Sequence, residues 1–257
     1  ASSYVFRIAS ASDVEINGFS ITGGTGDMVE ESGHADGLEF RYNIVYDDLL
    51  TSGDEGLQVK YSDGVVVEYN YCYDILQDGL NVSSNTGPCV VQDNEMHDIH
   101  SENAAIYCYD ATDIDIIGNL VYDVPNNDGI KLGDSGDSST GGEVSGNTVS
   151  NCGEDGITIY ASAATVTGNE VYGCDSENGA MYLSGSDGTV VTGNVIHDND
   201  AIGLLIKASD GVTVTGNQIY NNEDTNDTKY AFTAGVASLA DATGVVVNYN
   251  SIHDNAE

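Results

Sequence analysis

Tryptophan is absent from this 257-residue chain, proline occurs twice, and only six lysines and arginines stand against 42 aspartates and glutamates. Each scarcity excludes something. A formal net charge of −36 excludes a nucleic-acid partner, because neutralising phosphates requires the opposite sign. No apolar run approaches the roughly 20 residues of a membrane helix, so no membrane span is predicted. Five cysteines are an odd number and match no zinc spacing. No leader peptide is visible; the chain begins inside a repeat, as expected of a mature form or an excised piece.

What the chain has instead is one short frame written nine times around an asparagine, as in TGNEVYG, TGNVIHD, IGNLVYD and RYNIVYD. The asparagines are Asn43, Asn70, Asn94, Asn119, Asn147, Asn169, Asn194, Asn217 and Asn250, at steps of 27, 24, 25, 28, 22, 25, 23 and 33 residues. A tenth copy, VEINGFSITG, opens the chain with Phe19 in the asparagine position. A period in the twenties without a helical segment marks a solenoid made of strands. One unbroken repeat predicts one domain, 1–257, because solenoids grow by stacking coils.

A single coil reads well from Gly203 to Asn222. Leu204 and Ile206 point inward, with Leu205 and Lys207 outward; after the corner at Ala208–Gly211, Val212–Thr215 alternates again. Gly216-Asn217 makes a second corner and Gln218-Ile219-Tyr220 a third strand. Three strands per turn predict an all-β, three-sided parallel β-helix of about ten coils. The asparagine column is then a structural ladder of stacked amides. The column Tyr46, Tyr73, His97, Tyr122, Tyr172, His197, Tyr220, His253 is likewise predicted to stack. Cys72, Cys89 and Cys108 fall on inward positions. Cys152 and Cys174 each follow their repeat asparagine by five residues, so adjacent coils place them about 4.8 Å apart, within disulfide range.

The VTGN-x-I-x-x-N frame and the recurring Asp-Gly corners (Asp36-Gly37, Asp78-Gly79, Asp128-Gly129, Asp155-Gly156) resemble the right-handed parallel β-helix repeat superfamily. That group is rich in pectate-lyase-like, alginate-lyase-like and uronate-epimerase-like proteins, with tailspikes and surface proteins beside them. The resemblance implies the fold and leaves the chemistry open. The Asp-Pro-His-Glu signature of alginate epimerases, the acidic triplet of polygalacturonase-like hydrolases, the capping helix of many family enzymes and the glycine-rich calcium nonapeptides have no counterpart here. The lysine-poor, aspartate-rich composition also resembles proteins of halophilic organisms, and an extracellular or cell-surface location is expected.

The strand after each Asp-Gly corner carries the functional signal. Its outward columns read Glu39, Gln58, Asn81, Tyr107, Lys131, Thr158, Tyr182, Leu205 and Arg41, Lys60, Ser83, Tyr109, Gly133, Tyr160, Ser184, Lys207. Four of the six basic residues fall in these sixteen positions, where an even spread would place fewer than one; Arg7 is expected to join them from the first coil. Cations with tyrosines suit an acidic polysaccharide: ammonium and guanidinium neutralise uronates, and phenols offer flat faces and a proton. The expected centre is Lys131 with Tyr160 and Tyr109 as acid or base, around a gap left by Gly133. Tyr107, Tyr182, Arg41, Lys60 and Lys207 are expected to bind substrate, with Arg41 and Lys60 as an alternative catalytic pair of column neighbours. Asp128, Asp155, Asp134 and Asp137 are candidate calcium ligands, as are two further acidic clusters, Asp27 with Glu30 and Glu31 and the segment around Glu223 to Asp227, although none has an ordered calcium-loop spacing. Surface pairing of these cations with the acidic corners, and ordinary strand tyrosines, is the competing structural account. Two functions stay open: a module binding or processing acidic polysaccharide in the manner of a lyase or epimerase, and a non-catalytic structural or surface solenoid. The predicted bare coil ends favour the second, with head-to-tail self-association.

Overall fold

A computed structural model describes residues 4–33, 36–47, 55–136, 138–223, 234–239 and 241–255. Three parallel sheets of ten strands each run along one solenoid, and each coil contributes one strand to each sheet in chain order. One coil consists of Asp200–Lys207, Thr213–Thr215 and Gln218–Tyr220. No helix occurs among the described residues.

The corner between the second and third sheets explains the repeated frame. The residue before each ladder asparagine takes a left-handed backbone: glycine in five coils with asparagine (Gly118, Gly146, Gly168, Gly193, Gly216), and Tyr42, Tyr69, Asp93 and Tyr249 with φ between 53° and 57° in the others. That kink turns the asparagine into the core. Asn147 Nδ2 then donates to Ile116 O at 2.8 Å and to Asn169 Oδ1 at 2.9 Å, and the Asn147 N–H reaches the same oxygen at 3.0 Å. Its own Oδ1 accepts the N–H and the Nδ2 of Asn119 at 2.9 and 3.0 Å. The pattern repeats from Asn43 to Asn250, and Phe19 joins only through its N–H to Asn43 Oδ1 at 3.0 Å.

A second, shorter ladder stands at the corner between the third and first sheets: Asn199 Nδ2 donates to Asn222 Oδ1 at 2.8 Å, and Asn222 Nδ2 to Asn255 Oδ1 at 2.9 Å. The Cys174 N–H donates to Asn199 Oδ1 at 3.0 Å, so this ladder continues the inward position that Cys152 and Cys174 hold. All five cysteines are buried free thiols. Burial pushes Cys72 up to about 12, which suits small core residues and not nucleophiles.

The third sheet carries the expected aromatic column. Tyr46–Tyr73, Tyr73–His97, His97–Tyr122, His197–Tyr220 and Tyr220–His253 stack with centroids 4.8–5.6 Å apart. Each histidine Nδ1 faces the aspartate that follows it, at 2.7 Å for His97 and His197 and 2.9 Å for His253.

One register departs from the expectation. Glu39 and Arg41 belong to the second sheet, where Glu39 pairs with Glu15 and Val66, and Arg41 with Asn17 and Glu68. Arg41 is therefore not a column neighbour of Lys60, and the alternative Arg41–Lys60 catalytic pair falls away. Asp-Gly occurs at two different corners, and Asp36-Gly37 stands in line with Asp63-Gly64: the Gly37 N–H reaches Asp63 O at 2.8 Å. The first-sheet strand of that coil is Val29–Ser32, and it sets Glu30 between Arg7 and Gln58. Arg7 thus joins the outer column, as expected.

Mid-ladder, Asn147→Ala removes an acceptor shared by two donors and leaves buried N–H groups unpaired, so it should cost about 2–4 kcal/mol. Asn250→Ala, at a part-exposed position where water replaces the lost partners, should cost clearly less. Urea unfolding of both variants checks the order.

Candidate functional site

The outer face of the first sheet gathers Arg7, Lys60, Lys131 and Lys207, four of the chain's six basic residues. Alternation sets them there: Ile130 and Leu132 enter the core, so Lys131 points out, and Val59 and Ile206 do the same for Lys60 and Lys207. Lys60, Lys131 and Lys207 are separated by three coils each, or about 14 Å per interval at the usual strand spacing.

Lys131 is the most enclosed of them. Its Nζ lies 5.1 Å from the ring centre of Tyr107 and 5.6 Å from that of Tyr160, within cation–π range of both. Asp134, the first residue of the excursion after Gly133, turns back to pair with Lys131 Nζ at 3.2 Å and to accept the Tyr107 hydroxyl at 2.9 Å. Burial pushes Asp134 upward, but the Ser135 N–H, the Tyr107 hydroxyl and the Lys131 ammonium together hold it below the ordinary carboxylate range. Tyr107 stacks on Tyr109 with centroids 4.7 Å apart, and Tyr160 meets Tyr182 edge-on at 6.1 Å.

The gap expected at Gly133 is closed. Gly133 has φ of 88°, and a Cβ there would stand 2.9 Å from both Tyr160 Cβ and the Ala161 nitrogen. The chain leaves the strand at this glycine, and the backbone of the next coil packs against it. Tyr182 is buried with Ile202, Leu205 and Ala237 in a small apolar cluster separate from the main core, so it supports Tyr160 from behind. Burial raises both Tyr107 and Tyr160 well above an ordinary phenol, with Asp134 adding to the first and Tyr182 to the second. Phenols held neutral this firmly suit hydrogen-bond donation and oppose a role as base.

Beside Lys131 runs a column of acids at the strand entrances. Three of them bond the outward residue three positions on: Glu55 accepts from Gln58 Nε2 at 2.9 Å, Asp78 from Asn81 Nδ2 at 3.2 Å, and Asp155 from Thr158 Oγ1 at 3.0 Å. Burial raises Asp78 to about 6 and Asp155 to about 6. Asp128 is also raised, by burial and then by the charge of Asp155, whose N–H it accepts at 3.0 Å. Ser176 and Asn178 complete the shell of Asp155. A pocket of about 240 Å³ lined by Gly153, Glu154, Glu177 and Asn178 opens at this corner; its carboxylates would repel a polyanion.

Calcium fits this arrangement poorly. Asp128 and Asp155 meet, but Asp134 is engaged by Lys131 and Tyr107, and Asp137 lies outside the described residues, as do Asp224, Asn226 and Asp227. In the other cluster, Glu30 pairs with Arg7 at 2.9 Å, whereas Glu31 turns into the core to accept the Ser62 hydroxyl at 2.6 Å. No group of three or more histidine, cysteine or acidic side chains is gathered for a metal among the described residues. No step is routed through an ion.

Two polar groups on this face escape the sequence reading. Asn81 Oδ1 and Ser83 Oγ, outward on Leu80–Ser83, are buried without a hydrogen-bond partner. Nothing in the sequence distinguishes them from any other Asn-x-Ser on a strand.

The family profile described as "Right handed beta helix region" matches residues 4–138 and 104–257. Among solved structures, the catalytic unit of the GH87 α-1,3-glucanase of Streptomyces thermodiastaticus is similar at 15% identity and TM-score 0.61, over 94% of this chain and 50% of that one. The Dettilon tailspike protein is similar at 14% and 0.58, over 96% and 54%. The mannuronan C-5 epimerase A-module of Azotobacter vinelandii is similar at 13% and 0.53, over 96% and 78%. The chain thus spans about half the length of the first two, and at these identities the likeness is one of fold. Comparison with curated protein sequences finds no match.

The acid column sets a pH dependence. Carboxylates near 6 in the fold and about 3.9 when unfolded hold protons in the folded state that the unfolded chain releases, so stability falls as pH rises from about 4 to about 6. Self-repulsion at −36 acts in the same direction. Urea midpoints measured from pH 4.5 to 7.5 should decline, and the decline should be smaller in Asp155→Asn.

Proposed function

The chain belongs to the right-handed β-helix family, and from that premise we propose that the outer face of its first sheet binds and processes an acidic polysaccharide outside the cell. The observation that carries this reading is the placement of four of six cations on one sheet of a protein of net charge −36. Lys60 and Lys207 have no ion pair among the described residues, so their ammonium groups are available to carboxylates of a polymer lying along the solenoid axis. Such a chain would cross Lys131 between them.

At that midpoint Tyr107 and Tyr160 are donors and not bases, as their raised phenols require. If a proton is abstracted there, the groups that burial shifts toward neutrality are the carboxylates of Asp128 and Asp155, one coil apart. Lys131 supplies positive charge for a uronate carboxylate once Asp134 yields it, the interaction that lyase and epimerase chemistry both need at the α-carbon. The glucanase and the mannuronan epimerase among the similar structures support polysaccharide processing in general, and their different substrates leave the glycan open.

The competing reading, a structural solenoid without catalytic duty, is favoured by one observation: Asp134 already satisfies Lys131 and Tyr107.

Incubation with alginate and pectate, read by unsaturated-uronate absorbance and by proton NMR for epimerisation, tests the proposal. Product is expected from the wild-type protein, with a loss of at least about a hundredfold in Lys131→Ala and none in Lys229→Ala, which lies outside the described residues. Absence of product and of saturable binding to either polymer, in a folded sample, would leave the structural reading.

A further inference from the structure

We propose a discrete subsite for a single uronate unit at the Lys60 end of this face, built on Asn81 and Ser83; it rests on the reading of the face as a glycan-binding surface. Burying a polar atom without a partner costs free energy, and native proteins keep such atoms rare. Here two occur on alternate positions of one short strand: Asn81 Oδ1 and Ser83 Oγ, in residues only 4% and 0% exposed. Both face outward, because Leu80 and Val82 between them lie in the core.

Their orientation is fixed. Asn81 Nδ2 donates to Asp78 Oδ2 at 3.2 Å, which leaves the carbonyl oxygen as the free end. Neighbouring coils supply the walls through the register. Gln58 and Lys60 pair with Asn81 and Ser83 on one side, Tyr107 and Tyr109 on the other. Lys60 carries a cation without an ion pair among the described residues. The two tyrosine rings stack at 4.7 Å and 23°, forming a wall of apolar ring surface. Lys60 and Tyr109, the partly exposed neighbours, flank Ser83, so a ligand reaches the two buried atoms by displacing these side chains.

The complement of this set is specific. Asn81 Oδ1 needs a donor, Ser83 can give or accept, Lys60 needs an anion, and the tyrosine wall needs an apolar face. A pyranose bearing a carboxylate and a nearby hydroxyl supplies all four; an inorganic anion supplies only the third. The Lys131 centre differs, because Asp134 already neutralises that cation.

Two measurements test the assignment. Without ligand, Ser83→Ala deletes an unpaired buried hydroxyl and should leave the thermal midpoint unchanged or raised; a lowered midpoint would show that the hydroxyl has a structural partner and would overturn the proposal. Calorimetric titration with trigalacturonate and trimannuronate, with maltotriose as the neutral counterpart, should show binding of at least one acidic trimer and weaker or no binding of the neutral one. Lys60→Gln should weaken that binding about tenfold or more, and Ser83→Ala should weaken it severalfold despite its stability. Arg41→Gln, the same charge change on the second sheet, should leave it intact. Binding kept in Lys60→Gln but lost in Lys131→Gln or Lys207→Gln would overturn the subsite and leave the face reading standing. Failure of the folded wild-type protein to bind either acidic trimer would overturn both. Equal binding of maltotriose would replace the uronate with a neutral sugar and overturn the charge assignment.

Discussion

Every other feature of this molecule depends on one repeated contact: an inward asparagine whose amide bridges two coils. The contact needs a left-handed residue before it, and the chain meets that need with glycine in five coils and with tyrosine or aspartate in four. For a bulky residue the left-handed region costs on the order of 1–2 kcal/mol, so Tyr42, Tyr69 and Tyr249 require a return. Tyr42 and Tyr69 obtain part of it by stacking on one another at 5.0 Å and 10°. With the coil-to-coil spacing and register set by the amides, the outward columns of all three sheets follow.

That fixed register is also what makes the charge a difficulty. Stacking coils in line places acid above acid, and 42 carboxylates cannot all avoid one another. At the first-sheet entrances Glu55, Asp78 and Asp155 are each given a donor three residues on, and Asp78 and Asp155 are shifted toward the neutral form. On the third sheet Asp98, Asp198 and Asp254 instead follow histidines and bond their ring nitrogens. Cations are too few to repeat this everywhere. Their concentration on one sheet therefore leaves Arg41 as the one basic residue on the described strands of the other two sheets.

Much of this was legible in the residue order, for physical reasons. The asparagine frame, the inward and outward alternation and the aromatic column all recur once per coil, and periodic signals survive local noise. Arg41 went astray because Asp-Gly marks two corners per coil, and the excursion between Val29–Ser32 and Leu57–Lys60 removes the spacing that would tell them apart. The Gly133 gap failed for a different reason: an absent side chain in sequence is an opening only if no backbone fills it. Asp134 locking Lys131, and the orphaned atoms of Asn81 and Ser83, depend on hydrogen-bond saturation, which no pattern of residue types reports. The shorter ladder of Asn199, Asn222 and Asn255 was in reach, since its steps of 23 and 33 match those of Asn194, Asn217 and Asn250.

The two aromatic surfaces show why register alone cannot decide function. On the third sheet the rings stack face to face along the axis, with interplanar angles from 2° to 13°. Each face is covered by the next coil except at Ser150, which stands between Tyr122 and Tyr172 and breaks the column once. On the first sheet Tyr107 stacks on Tyr109 within one strand, while Ser83 and Gly133, in the coils to either side of Tyr109, have no ring to offer. The stack ends after two members, so ring surface is left over beside Lys60 and beside Lys131. The third sheet keeps its stacking on both sides of that one break. The first sheet has no such continuity where its cations stand and where two polar atoms remain unpaired, and it is there that the proposed binding surface lies.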